Sequence, residues 1–117
     1  MKVDVSGFLP LSAATLHILL ALAGEDRHGY GIMQETARQS NGRYKLGPGT
    51  LYDNLQRLME NGVVKEAAGS AESDPRRRYY TLTPLGRRIL EAEISRLEAI
   101  VVDAKLALQS ARPRRAS

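Results

Sequence analysis

Leu90, Ile94, Leu97, Val101, Ala104 and Leu108 fall 4, 3, 4, 3 and 4 residues apart. That is a heptad seam across nearly three heptads. Thr83 is placed to cap the helix that carries it, and Pro84 occupies a first-turn position where a missing N–H costs nothing. Helical pattern continues to about Ser110, a length of roughly 40 Å. A helix this long at the end of a small domain cannot bury its whole stripe against its own chain. Packing on the first helix of the same chain would cover part of it. A partner chain covers all of it, and a second copy is the simplest partner. The expected division is therefore a domain over residues 1–83, then a dimerisation helix and basic tail over residues 84–117.

The rest of the chain changes period twice. Ser12 can cap a helix over 13–23, with Leu16, Leu19, Leu20 and Leu22 apolar and Gly24 as its stop. The segment GEDRHG reads as a turn. A second helix spans about 30–40, with Tyr30, Ile32, Met33 and Ala37 as candidate buried positions, and Asn41-Gly42 ends it. The third helix starts at Gly47-Pro48-Gly49-Thr50 and stops at Gly62. At 100° per residue, Leu51, Leu55, Leu58 and Met59 share one side. Thr50, Asp53 and Arg57 point the other way, with Gly49, Asn54 and Gln56 on the flanks. The period then becomes that of strands, over 63–68 and 78–82, joined by a long polar tip. Three helices, a small β-hairpin and a long helix make a mainly α chain in winged helix-turn-helix order.

In that order the third helix faces DNA. Gly47 and Gly49 are expected to let the chain turn abruptly and approach a partner closely. The helix N-terminus then sits against a phosphate. Thr50 can donate to phosphate or touch a thymine methyl, Asn54 can pair with adenine, and Arg57 can meet phosphate or guanine. Asp53 would repel phosphate, so it accepts from cytosine or holds Arg57 or Asn54 in place. The alternative is an ordinary solvated face. The charge distribution favours DNA. Net charge is +4, with Arg76, Arg77, Arg78, Arg87 and Arg88 within thirteen residues and Arg112, Arg114 and Arg115 near the C-terminus.

Other classes fit less well. There is no Cys, so disulfides and thiolate metal sites are excluded, and the expected setting is a reducing cytoplasm. The apolar run 16–23 contains His17 and is far short of the ~20 residues a bilayer span needs. His17 is expected as a hydrogen-bonded buried or interface group, and His28 as a cap or packing residue. No nucleophile elbow, phosphate-cradling Gly motif or metal-spaced carboxylate pair is present, so neither catalysis, nor a metal, nor a cofactor is expected. A winged helix that binds protein instead of DNA remains the competing class.

Three blocks carry a family resemblance: HGYGIMQE at 28–35, GPGTLYDNLQRLMENGVV at 47–64 and RRRYYTLTPLGRRILEAE at 76–93. Together, and in this order and spacing, they resemble the PadR family of bacterial transcriptional regulators over about residues 11–95. The resemblance implies an N-terminal winged helix and a C-terminal helical dimerisation part. It also implies homodimers bound to operator DNA, mostly as repressors, some released by small aromatic or drug-like effectors. By position it marks Tyr30, Pro48, Thr50, Leu51 and Tyr52 as signature residues. Tyr30 and Tyr52 are expected mainly as packing aromatics whose hydroxyls reach phosphate. Arg76 and Arg77 match the wing. Arg78, Tyr79 and Tyr80 match its returning strand, where alternation puts Arg78 and Tyr80 on one face. This chain has one C-terminal helix where longer members have several. With no Trp and a single Phe, Phe8, it offers little for stacking a planar drug between subunits. An effector, if used, is expected near the first and last helices at the dimer interface.

Overall fold

The computed structural model describes residues 4–68 and 76–111. After a 3₁₀ turn at Ser6–Phe8 come α1 (Ala13–Ala23), β1 (Arg27–His28), α2 (Gly29–Gln39), α3 (Pro48–Glu60), β2 (Val64–Ala67), β3 (Tyr79–Leu82) and α4 (Pro84–Ser110). The strands form one antiparallel sheet in the order β1-β3-β2. Val64 pairs with Leu82 and Ala67 with Tyr79 across β2–β3, while Arg27 pairs with Tyr80 and His28 with Tyr79 across β1–β3. The sheet thus has three strands, not the two expected. A two-residue strand is too short to show a period, and β1 sits inside the segment read as a turn. Residues 44–46 form no strand.

Helix ends follow local chemistry. Ser12 Oγ accepts from the Thr15 N–H at 3.1 Å, and Thr83 Oγ1 accepts from the Gly86 N–H at 3.0 Å. α2 and α3 close alike. The Gly42 N–H reaches the Ala37 carbonyl and the Asn41 N–H that of Arg38; Val63 reaches Leu58 and Gly62 reaches Met59. Both are Schellman closures, which need a left-handed residue just past the helix. Asn41 (φ 54°) and Gly62 (φ 73°) supply it. Gly47 and Gly49 play no such part. Gly47 caps α3 in ordinary extended backbone, φ −80° and ψ 162°, and a Cβ on either glycine would meet nothing within 4 Å. The preset φ of Pro48 starts the helix instead.

One core joins α1, α2, α3, the sheet and the first half of α4. Ile18, Leu19, Leu22, Ile32, Leu51, Leu55, Val63, Val64, Tyr80, Ile89 and Leu90 are buried in it. Leu90, expected in the partner-facing seam, therefore belongs to the chain's own core. Glu93 is the unexpected member, at 1% exposure. Its Oε2 accepts the Leu11 N–H at 2.8 Å, and its carboxylate pairs with Arg96. Arg96 holds the Glu93 carboxyl below the usual range against the opposing effect of burial, and the Leu11 amide adds to this. The clip ties the segment before α1 to α4 and fixes where α4 leaves the domain.

Candidate nucleic-acid interface

Burial of Leu51, Leu55 and Leu58 orients α3. It leaves Gly49, Thr50, Tyr52, Asp53, Gln56 and Arg57 exposed. Asn54 departs from its expected flank. It is buried, with Nδ2 donating to the Thr50 carbonyl at 2.8 Å. Its Oδ1 accepts from Thr15 Oγ1 at 3.1 Å and from Arg57 Nη2 at 3.3 Å. A side chain so committed cannot offer a bidentate pair to adenine. Asn54 instead holds Arg57, a role open to Asp53 in the sequence.

The two signature tyrosines are not core aromatics. Tyr30 is 57% exposed and Tyr52 49%. The Tyr52 ring lies against Gly29, so closely that a Cβ on Gly29 would overlap the Tyr52 hydroxyl. Gly29 thereby lets the start of α2 approach α3. Together His28, Gly29, Tyr30, Tyr52, Arg76, Arg77, Arg78 and Tyr80 line one concavity between the two helices and the wing. Arg78 and Tyr80 share it as alternation required; Tyr79 does not line it. Arg78 also pairs with Glu66 at 3.5 Å, an exposed contact worth little to stability. Residues 69–75 of the wing tip and Arg112, Arg114 and Arg115 lie outside the described residues.

His28 closes this concavity and caps α2. Its Nδ1 accepts from the Gly31 N–H at 3.0 Å, and its Nε2 stands 2.8 Å from Arg77 Nη1. Its ring meets Tyr79 edge-on, centroids 5.3 Å apart. Burial, and then the Arg77 charge, push its pKa below the usual histidine value, so the ring is neutral near pH 7. His17 stacks on Tyr44 with centroids 4.4 Å apart, and its buried Nδ1 has no hydrogen-bond partner among the described residues.

α4 carries a separate surface. Residues 98–111 are all exposed, and Ile94, Leu97, Glu98, Val101 and Val102 line an apolar groove. Ala104 and Leu108 continue the seam, while Ile100, Val102 and Leu106 widen the exposed apolar surface beyond it. No described helix is long and apolar enough to cross a membrane. Among the described residues, no group of three or more His, Asp or Glu side chains could hold a metal.

Comparison with known proteins bears on the same residues. The PadR-like transcriptional regulator family matches over residues 18–92, from α1 into α4. A transcriptional regulator of Mycobacterium tuberculosis is 35% identical over 89 residues, 76% of this chain and 79% of that protein. The crystal structure of a PadR family transcription regulator from Clostridium difficile superposes with a TM-score of 0.66 at 26% identity, covering 84% of this chain and 97% of the other. A transcriptional regulator from Clostridium thermocellum gives 0.64 at 25% identity over 92% and 97%. With its winged-helix architecture and long C-terminal helix, the chain belongs to the PadR-like family of transcriptional regulators.

Proposed function

We propose that the protein is a homodimeric, sequence-specific DNA-binding regulator that represses by occupying a palindromic operator. One observation carries this reading. Tyr52 of α3, Tyr30 of α2 and Arg76–Arg78 of the wing line one concavity, Thr50, Asp53 and Arg57 lie exposed on the same helix as Tyr52, and the apolar groove of α4 is built from other residues. α3 enters the major groove, with Thr50, Asp53 and Arg57 at the bases or adjoining phosphates. Gly49 lies at its N-terminus beside the backbone. Tyr30, Tyr52, Arg76, Arg77 and Arg78 take flanking phosphates. Asn54 drops from the base-reading set and serves as the anchor of Arg57.

The seam from Ile94 through Leu97, Val101, Ala104 and Leu108 joins two copies. Residues 1–83 then act as the reading head and 84–117 as the dimerisation arm. Half-site centres should lie about one DNA turn, ~34 Å, or a multiple of it apart. The expected setting is cytoplasmic. A small-molecule effector would act where α1 and α4 meet the partner chain, by changing the spacing of the heads.

A salt titration tests the DNA contact. Arg76→Ala combined with Arg77→Ala should weaken binding to any duplex. It should also lower the slope of log affinity against log salt by up to about one unit per arginine. An unchanged slope removes the wing from the interface. Failure of the unaltered protein to bind duplex DNA even at low salt favours a protein-binding winged helix instead.

A further inference from the structure

We propose that His28 is itself a DNA-backbone residue: its Nε2–H and Arg77 converge on one phosphate oxygen, while its Nδ1 keeps the cap of α2. The proposal rests on the DNA-binding reading above and assigns a new residue to that site.

Two nitrogens of the His28 ring each face a donor. The Gly31 N–H points at Nδ1, and Arg77 Nη1 stands against Nε2. Arg77 can only donate, and so can a backbone N–H. A neutral imidazole has one nitrogen with a free lone pair and one that carries hydrogen. Two donors thus compete for one acceptor. If the ring accepts from Gly31, Nε2–H opposes the guanidinium at 2.8 Å. If it accepts from Arg77, Nδ1–H opposes the first turn of α2. A doubly protonated ring would oppose both, and the lowered His28 pKa disfavours that state. No tautomer satisfies the site as it stands.

An anionic oxygen resolves the conflict. Placed in the concavity, it accepts from Nε2–H and from Arg77 together, and Nδ1 is left for the Gly31 N–H. Charge on the walls suits an anion: among the described residues, Arg76, Arg77 and Arg78 line the concavity and no carboxylate lines it, though Glu66 pairs with Arg78 beside it. Tyr30 and Tyr52, both exposed, border the same space and can donate through their hydroxyls. Binding a phosphate would thus give Nε2–H and the exposed Arg77 one shared anionic acceptor in place of solvent. The side chain that best caps α2 in the bound state is also the one that steers the wing arginine.

The test uses His28→Ser in the full chain. Serine can cap α2 but is too short to reach Arg77 or a phosphate. The probe is a mixed-sequence duplex of roughly 20 base pairs, long enough for two half-sites a turn apart. At low salt, affinity should fall by about tenfold. Thermal stability should stay close to that of the unaltered protein. The salt slope should also hold, because a neutral donor is lost rather than a charge. With Arg77→Ala already present, the serine substitution should have a smaller effect than alone, since the two groups share one oxygen.

If serine lowers the melting temperature, His28→Asp provides the second variant. It is a strong cap, and its carboxylate should repel the phosphate and bind more weakly than serine. Nitrogen-15 shifts of the ring supply a readout that a cap alone would not move: duplex binding should shift the Nε2 resonance as its N–H bonds a phosphate oxygen, while Nδ1 stays the acceptor of the Gly31 N–H. Unchanged affinity in a stably folded serine variant, or unchanged ring shifts on DNA binding, overturns the proposal. Failure of the unaltered protein to bind the duplex overturns the DNA-binding reading and this proposal with it.

Discussion

Val101→Asp is expected to yield a monomer, and to lower affinity for a duplex carrying both half-sites by about a hundredfold or more while leaving affinity for one half-site unchanged. Val101 sits in the apolar groove of α4 with about half its surface open in the single chain. A carboxylate there is solvated in the monomer, so the fold should survive. In a dimer the same carboxylate would be buried against a second apolar helix, at a cost of several kcal/mol. Losing the link between two reading heads removes an effective-concentration gain of roughly 10²–10⁴. Leu97→Asp should act the same way. Sedimentation gives the oligomeric state, and titration with one-half-site and two-half-site duplexes gives the affinities. A Val101→Asp protein that stays dimeric places the interface elsewhere. The contrast with Leu90 sharpens the test. Leu90 is spaced as part of the same heptad, but it is buried in the chain's own core, so Leu90→Asp should unfold the domain rather than split a dimer.

Gly86→Ala is expected to destabilise the fold by about 3 kcal/mol or more, the upper range for an overpacked core. The usual rule has the opposite sign, because Gly→Ala inside a helix normally stabilises by up to about 1 kcal/mol. Gly86 lies buried in the first turn of α4, against the end of α3 and the sheet. A Cβ there would drive into the Val63 carbonyl oxygen and stand 2.7 Å from Leu82 Cδ1. The Val63 carbonyl cannot retreat freely, because it accepts from the Thr83 N–H at 3.1 Å and from Thr83 Oγ1 at 2.9 Å. Backbone and cap would have to move together, shifting the root of α4 and the placement of both heads. Thermal unfolding should show a fall in melting temperature of ~10 °C or more. A melting temperature equal to or above that of the unaltered protein would mean that α4 can tilt away without loss.

The sequence displayed the long elements through periodicity, and those elements are where expected. α3 and α4 match their apolar spacing, and Ser12, Thr83, Asn41 and Gly62 mark ends through local hydrogen bonds that depend on neighbours alone. β1 was hidden because it gains its identity from pairing with β3, some fifty residues away. The two polar surprises share a cause. Asn54 and Glu93 each meet a partner far along the chain, Thr15 and Leu11 respectively, whereas the capping role of His28 was local and legible. Spacing on a helix says which side a residue faces, not what the opposite element brings to it. The tyrosines failed in the other direction. Tyr52 follows buried Leu51 by one residue, so its own helix turns it toward the surface, and Gly29 lets it lie across α2 instead of into the core. The Arg76–Arg78 run and the exposure of Thr50, Asp53 and Arg57 on α3 were legible because adjacency and helical spacing alone mark them.

Selection of bound sequences from a random duplex pool, run at two salt concentrations, is the first measurement to make. A homodimeric operator-binding protein should enrich one palindrome whose half-site centres lie ~34 Å or a multiple of it apart. Enrichment should sharpen at the higher salt, as contacts that see only phosphate weaken. Recovery of no common sequence at either salt, with the protein folded and soluble, would contradict homodimeric operator binding.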